Sequence, residues 1–242
     1  MSAPQPLPRG TLFLIPVPLG PTPPAAVLPA PVCEQARQLR HFIAENAKSA
    51  RAFLKSLEIP VPLQEIQIQE LNEHTRANAL EGLLQPLRQG FDVGLVSEAG
   101  CPGVADPGAD LIRLAQQEGI TVVPLIGPSS LLLALMGSGL CGQRFAFHGY
   151  LPAKEDERGK RLKALEQESR RQNQTQMFIE TPYRNTQMLN SLLQHLAPST
   201  LLCLASSLTL PQQRLRTLSV AQWRKEEDPV AKEPTVFLFL SA

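Results

Sequence analysis

The stretch Asp92–Asp106, DVGLVSEAGCPGVAD, decides how the fold of this chain is interpreted. Residues Val93–Val96 form a short apolar run, which is typical of a strand buried in a parallel sheet. A loop of small residues, Glu98–Gly103, follows the strand and allows a ligand to approach the backbone closely. After the loop we expect a helix over residues 109–119, with Asp106 as its N-terminal cap.

A second unit of the same kind follows directly. A strand is predicted over Ile120–Ile126, and it ends at a small-residue turn, Gly127–Ser130, that opens a leucine-rich helix. Loops that follow successive parallel strands lie at one edge of the sheet, where open α/β sheets bind ligands. The two loops therefore predict a ligand site.

The first half of the chain alternates strands with helices. Strands are expected over Thr11–Pro16, 40–46 and Leu63–Leu71, and helices over 50–57 and 75–90. Together with the two units above, this alternation predicts a mostly parallel sheet covered by helices. The proline-rich start of the chain, up to about residue 31, is expected to form loops.

The loop after the first strand, Val17–Pro24, lacks the GxGxxG pattern of dinucleotide-binding proteins. Its prolines leave few backbone amides to bind a phosphate. The loop is stiff and poor in hydrogen-bond donors, so we expect it to form the wall of an apolar or aromatic pocket.

The second half of the chain has a different order. Strands are expected over 144–151, 177–180, 201–206, 215–220 and 236–240, and helices over 156–172 and 187–196. No obvious helix separates the last two strands, which favours their antiparallel pairing. We therefore expect an α/β protein of two α/β domains, residues 1–122 and 123–242. The N-terminal sheet is expected to be mostly parallel and the C-terminal sheet mixed, with a ligand cleft between the domains.

The composition is that of an ordinary globular protein. The chain has 242 residues, 43% hydrophobic and 19% charged, and no apolar run of membrane-spanning length or signal-peptide type. A net charge of +1 neither requires nor excludes a nucleic-acid partner. The four cysteines form no CxxC pair, so we expect neither a disulfide framework nor a zinc site, and a cytoplasmic location.

Four stretches carry a resemblance to a known family. They are VGLVSEAGCPGVADPG (93–108), VVPLIGPSSLLLALMGSGL (122–140), RFAFHGYLPAK (144–154) and FIETPYR (178–184). With these the chain resembles the S-adenosylmethionine-dependent tetrapyrrole methylase superfamily, and within it the bacterial small-subunit rRNA ribose 2′-O-methyltransferases. The resemblance implies two α/β domains, S-adenosylmethionine in the cleft between them, ribosomal RNA or the small ribosomal subunit as partner, and a homodimer.

The resemblance also implies which residues meet the methyl donor. In the first domain and at the start of the second they are Pro18, Leu19, Gly20, Cys101, Pro102, Val104, Ser129 and Ser130. Further along the second domain they are Glu180, Ala205, Ser206, Pro234 and Thr235. These positions coincide with the strand ends selected above from the sequence pattern alone.

Two segments depart from the pattern of the RNA enzymes. Their TPIGN turn after the first strand is PVPLGP here, at Pro16–Pro21, and their AEDTR segment is AENAK, at Ala44–Lys48. We interpret the donor pocket as retained and the acceptor side as altered. Three functions remain open: methylation of a ribose 2′-hydroxyl of ribosomal RNA, methylation of a tetrapyrrole or other small molecule, and a catalytically silent donor-binding interaction protein.

A ribose hydroxyl is a weak nucleophile, so a nearby carboxylate can assist methyl transfer by taking its proton. Glu98, after the central strand, is the candidate, although it could equally cap amides of its loop. Glu180 and Arg184 are four residues apart, and we expect an ion pair that fixes their loop rather than catalysis. No metal site is expected, since methyl transfer from a sulfonium needs none.

For several other residues we prefer a structural interpretation. Cys101 is expected to be a packing residue, Tyr183 a packed aromatic and His74 a bystander at a helix start. The basic residues of the helix over 156–172 are interleaved with acids. This interleaving favours a solvated helix face over RNA contact.

Overall fold

A computed structural model of the chain describes residues 9–72, 75, 77–227 and 230–241. The chain divides into two compact units, the first ending at Ser129 and the second beginning at Ser130. His74 lies outside the described residues. None of the helices described is both long enough and apolar enough to cross a membrane.

The first unit is built on five strands. Its strands are β1 (Thr11–Leu14), β2 (His41–Ala44), β3 (Gln67–Glu70), β4 (Val93–Val96) and β5 (Thr121–Pro124). Its helices are α1 (Pro24–Val27), α2 (Ala30–Gln38), α3 (Ala47–Ser56), α4 (Ala77–Leu83), α5 (Gln85–Arg88) and α6 (Ala109–Gln117), with a 3-10 turn at Leu63–Glu65. The strands pair only in parallel, in the order β3-β2-β4-β1-β5, which confirms the predicted parallel sheet.

β4 lies at the centre of this sheet, and all four of its residues are buried. Two apolar cores enclose the sheet, one including Phe42 and Leu54, the other including Leu12 and Leu111. Gly94 is required in β4 because a Cβ there would lie 2.8 Å from Ile15 Cδ1. The buried central strand therefore holds the loop that follows it in a fixed position.

Three predictions about the first unit were wrong. The proline-rich segment, expected to be loop, contains α1 and the start of α2, because prolines are tolerated in a first helical turn and Pro24 and Pro31 occupy such positions. The helix expected over 75–90 is divided into α4 and α5, and Pro86 lies in the first turn of α5. Asp106 does not cap α6, whose N-cap is Gly108 without a side-chain hydrogen bond.

The second unit is built on a mixed sheet. Its strands are β6 (Phe145–Tyr150), β7 (Thr175–Glu180), β8 (Leu201–Ser206), β9 (Arg214–Ser219) and β10 (Thr235–Leu240). Its helices are α7 (Ser130–Ser138), α8 (Glu155–Gln172), α9 (Asn185–His195) and α10 (Val220–Trp223), with a 3-10 turn at Pro182–Arg184. The strand order is β6-β7-β10-β8-β9, in which β6 and β7 are parallel and the other pairs antiparallel.

These two sheets confirm the predicted fold class, but the last two strands do not pair with each other. β10 lies between β7 and β8, whereas β9 pairs with β8 at the edge. The sequence of β10, TVFLFL, is apolar on both faces and suits a central strand, whereas the sequence of β9, RLRTLS, carries charges that suit an edge. The first unit ends a few residues beyond the expected boundary at residue 122, since β5 pairs with β1.

Candidate active site

Three loops of the first unit meet at the carboxyl ends of β1, β4 and β5. The backbone N–H of Val17 donates to the carbonyl of Gly100 at 2.9 Å, and the N–H of Gly100 donates back to Val17 at 3.1 Å. The Cys101 thiol donates to the carbonyl of Pro128 at 3.4 Å. Parallel strands end at the same edge of a sheet. These contacts therefore join the loop after β1, which is the first loop, to the loops after β4 and β5 in one cluster.

Gly100 is the residue on which this close approach depends. Its φ of +76° lies in the left-handed region that side chains disfavour. A Cβ there would also lie 3.3 Å from Leu19 Cδ2 and 3.6 Å from the carbonyl oxygen of Pro128. A glycine is therefore required where the three loops touch.

In the first unit, most of the residues that are expected to bind the methyl donor belong to this cluster. Pro18, Leu19, Gly20, Cys101 and Ser129 are half-buried, and Pro102 is buried. Unlike these residues, Val104 is exposed, with 48% of its surface accessible to solvent. It lies in a turn closed by its own N–H and the carbonyl of Cys101, at 3.2 Å.

A cavity of about 400 Å³ adjoins the cluster. Its walls are the first loop, one face of α3 and the residues that follow β4. Of the expected site residues, Pro18, Gly20 and Glu98 line it. Its volume lies within the range of about 300–1,000 Å³ that is usual for small-molecule sites. The first loop thus forms a pocket wall, as its proline content predicts.

Glu98 points toward α3 across this cavity. Its carboxylate Oε1 accepts a hydrogen bond from the hydroxyl of Ser49 at 3.1 Å, and both side chains belong to cavity-lining residues. The residue is exposed, so its carboxylate can also meet a molecule in the cavity. The arrangement provides a proton acceptor held in position by a neutral donor.

Asp106 is a titratable group that the sequence interpretation missed as part of the site. Burial and the charges of Glu45 and Glu98 together raise the pKa of its carboxyl to about 6, although a hydrogen bond from Ser97 lowers it. The carboxylate thus interacts with the cavity-lining Ser97 and Glu98 instead of capping α6. The sequence did contain a signal for this interaction, because Glu98 and Asp106 are two acids in the same loop between β4 and α6.

Cys101 has the surroundings of a packing residue, not those of a nucleophile. Burial and the charge of Asp106 both raise the pKa of its thiol. Its hydrogen bond to Pro128 uses the thiol as a donor. Among the residues that the structure describes, no group of three or more His, Cys, Asp and Glu side chains could hold a metal ion.

Most residues of the second unit that are expected to bind the methyl donor lie at one end of its sheet. Glu180, Thr235 and Ser206 are opposite one another on β7, β10 and β8, so they form a row of three across neighbouring strands. The hydroxyls of Ser206 and Thr235 share a hydrogen bond of 2.8 Å. Ala205 and Pro234 adjoin this row along their strands, and Ser130 is the first residue of α7.

Glu180 is held in this row by its neighbours. Its side chain is only 1% exposed, and Oε1 accepts a hydrogen bond from the backbone N–H of Thr181 at 2.8 Å. Oε2 lies 3.1 Å from Arg184 Nη2, which confirms the predicted ion pair, although neither atom has a partner in hydrogen-bond geometry. Glu180 therefore presents a buried carboxylate oxygen that can still accept a hydrogen bond.

Two further residues of this region differ from expectation or were missed. Tyr183 was expected to be packed, but it is 72% exposed because the 3-10 turn directs it to solvent. Asn185 is fully buried, and its amide donates to the carbonyls of Ala231 and Glu233 at 3.0 and 2.8 Å and to Thr235 Oγ1 at 3.2 Å. Asn185 therefore holds the segment that leads into β10.

Comparison with known proteins identifies relatives along nearly the whole chain. The chain is 31% identical over 233 residues to the ribosomal RNA small subunit methyltransferase I of Escherichia coli O157:H7, covering 95% of this chain and 77% of that protein. The chain belongs to the ribosomal RNA small subunit methyltransferase I family. The protein of that name from Vibrio cholerae is 34% identical over 171 residues, which is 69% of this chain and 58% of the relative. The chain thus spans about three quarters of one relative and less than two thirds of the other.

No family model matches the chain. Among solved structures, the methyltransferase CobJ aligns with a TM-score of 0.64 at 18% identity and covers 96% of this chain and 95% of its own. This likeness shows the fold and agrees with the two α/β units of this family member.

The departure at Ala44–Lys48 has a structural role in this member of the family. Asn46 is the N-cap of α3, and its side chain accepts hydrogen bonds from the backbone N–H groups of Lys48 and Ser49 at 2.8 and 3.4 Å. Asn46 thus performs the capping function for which an aspartate is equally suited. The altered segment still places α3 against the cavity.

Proposed function

We propose that this protein is an S-adenosylmethionine-dependent methyltransferase that modifies a ribose 2′-hydroxyl of small-subunit ribosomal RNA. The observation that carries the proposal is the similarity, over 95% of the chain, to a relative named as a methyltransferase of that RNA. The loop cluster, the cavity and the position of Glu98 support it. The proposal includes a homodimer, and a cytoplasmic location, since ribosomal subunits are found there.

Residues of both units are proposed to bind S-adenosylmethionine. They are Pro18, Leu19, Gly20, Cys101, Pro102, Val104 and Ser129 in the first unit, and Ser130, Glu180, Ala205, Ser206, Pro234 and Thr235 in the second. Two features suit such a ligand. Gly100 places no side chain where the loops of the first unit meet. Glu180 Oε2 is a buried acceptor that receives no hydrogen bond from the described residues. When bound, the cofactor supplies an activated methyl group on a sulfonium.

Glu98 is the proposed proton acceptor for the ribose hydroxyl. Its carboxylate lines the cavity, and the hydrogen bond from Ser49 orients it without neutralising its charge. The hydroxyl proton passes to a Glu98 oxygen as the hydroxyl becomes a better nucleophile. The first loop and Phe53 form part of the wall of this cavity.

The function is tested by incubating the protein with small ribosomal subunits and S-adenosylmethionine labelled in its methyl group. We expect label in the RNA, and mass spectrometry of nucleosides should place it on a ribose 2′-oxygen. Cofactor binding without label in RNA would favour a small-molecule acceptor instead. No binding by calorimetry at millimolar cofactor would refute the methyltransferase proposal.

The role of Glu98 is tested by Glu98→Gln, which keeps the shape of the side chain and can still accept from Ser49. We expect kcat to fall about 10²–10⁴-fold with unchanged cofactor affinity, because the variant cannot take the proton. Glu65→Gln is the control, since Glu65 is an exposed acid of the same unit that does not line the cavity. Normal turnover by Glu98→Gln would remove Glu98 from the mechanism.

A further inference from the structure

The helix α3 presents three different faces. Ala50, Phe53 and Leu54 face the core of the first unit. Ser49, Ala52, Phe53 and Ser56 contribute to the cavity wall. The remaining face is exposed and carries Lys48, Arg51 and Lys55.

The three basic residues form a continuous stripe. At about 100° per residue, positions 48, 51 and 55 fall within an arc of about 60°. Lys48 and Lys55 are separated by an axial rise of about 10 Å, whereas a nucleic-acid strand carries a phosphate about every 3.4 Å along a helix axis. The stripe is therefore long enough to contact more than one phosphate.

No acid on α3 itself compensates the charge of this stripe. α3 contains no acidic residue, and none of the three cations forms an ion pair with any residue that the structure describes. Glu45 and Glu58 lie beyond the two ends of the helix. On a protein with a net charge of +1, attraction to a polyanion must come from such a local surface.

The cavity beside the stripe has the opposite character. Glu98 lines the cavity, and the carboxyl of Asp106 is close enough to interact electrostatically with those of Glu98 and Glu45. Negative charges disfavour phosphate within the cavity, whereas a neutral nucleoside can enter it. One helix thus separates an exposed basic face from a cavity with acidic residues.

We propose that Lys48, Arg51 and Lys55 bind the phosphate backbone of the RNA substrate and direct the target nucleoside into the adjoining cavity. This inference rests on the proposed function and adds the surface through which the substrate is held. α8 is the other strongly charged helix, but its cations alternate with acids and Lys154 pairs with Glu157 at 3.4 Å.

The test compares two triple variants that remove the same charge. K48Q/R51Q/K55Q alters the stripe, and K160Q/K163Q/R171Q alters exposed residues of α8. Binding to a labelled fragment of small-subunit ribosomal RNA is measured at several salt concentrations, with cofactor affinity and the thermal midpoint as controls for folding.

For the stripe variant we expect an affinity loss of at least tenfold at low salt. The slope of log affinity against log salt should become shallower by up to about 2, since each single-strand phosphate contact contributes about 0.7. The α8 variant should stay close to the wild type. K48R/K55R, which keeps the charge, should retain binding.

An unchanged affinity and slope in the stripe variant would overturn the inference, and so would an equal loss in the α8 variant. Methyl transfer to RNA by the wild type distinguishes these results from failure of the proposed function. If it transfers methyl to the RNA while the stripe variant binds normally, only the inference fails. If the wild type transfers no methyl to RNA, the proposed function fails and the inference fails with it.

Discussion

Asp106 illustrates how surroundings determine the chemistry of a single residue. From the sequence it has the position of a helix cap, but in the folded chain it is partly buried beside Glu45 and Glu98. Burial and these charges disfavour its ionised form and raise its pKa to about 6, although Ser97 donates a hydrogen bond to it. The acid next to the cavity therefore changes its charge near neutral pH.

This shift predicts how stability depends on pH. The folded protein keeps the Asp106 proton up to about pH 6, whereas the unfolded chain loses it near the ordinary value of 3.8. The free energy of unfolding should therefore fall as the pH rises from about 4 to 6, and this contribution should level off above that. Asp106→Asn removes the titrating group. The stability of this variant relative to the wild type should therefore increase as the pH rises from about 4 to 6.

Urea unfolding at pH 4, 5, 6 and 7.5 measures this difference. Asp110→Asn is the control, because its side chain is 70% exposed on α6. Parallel stability curves for the wild type and Asp106→Asn would show that Asp106 does not titrate in this range.

At the scale of an element, neighbours decide which face of a helix is buried. α8 was expected to carry its basic residues on a solvated face, but Arg158 is only 1% exposed. It donates to the carbonyls of Pro152 and Ala153 and to Ser191 Oγ, at 3.3, 2.7 and 2.9 Å. Arg158 shares the buried stripe of Leu162 and Leu165, so its position on the helix, and not its charge, determined its burial.

α9 supplies a prediction at this scale through Asn185. Asn185→Ala removes the donors to Ala231, Glu233 and Thr235, so we expect a loss of about 2–3 kcal/mol in the free energy of unfolding. Asn190→Ala, at an exposed position of the same helix, should change stability by less than about 0.5 kcal/mol. Equal urea midpoints for the two variants would contradict the role of Asn185.

At the scale of the whole molecule, stability depends on two sheets that each have buried central strands. In the first sheet β4 is buried throughout, whereas the edge strands β3 and β5 are largely exposed. In the second sheet β10 is buried and lies between β7 and β8, with β6 and β9 at the edges. Each sheet should therefore open from its edges.

Hydrogen exchange measured strand by strand tests this expectation. The slowest amides should belong to β1, β2 and β4 in the first sheet and to β7, β8 and β10 in the second. Those of β3, β5, β6 and β9 should exchange faster, because an edge strand can separate without disturbing the core. Uniform protection across either sheet would contradict this order.

The sequence by itself determined the features that depend on local patterns. The apolar run at β4, the glycines after it and the alternation of strands and helices predicted the parallel sheet and the loops at one edge. The motifs around those loops also indicated the family. Only the tertiary structure decided the insertion of β10 between β7 and β8, the burial of Arg158 and the raised pKa of Asp106. These depend on residues distant in sequence, because strand partners, desolvation and neighbouring charges are set by the packing of the whole chain.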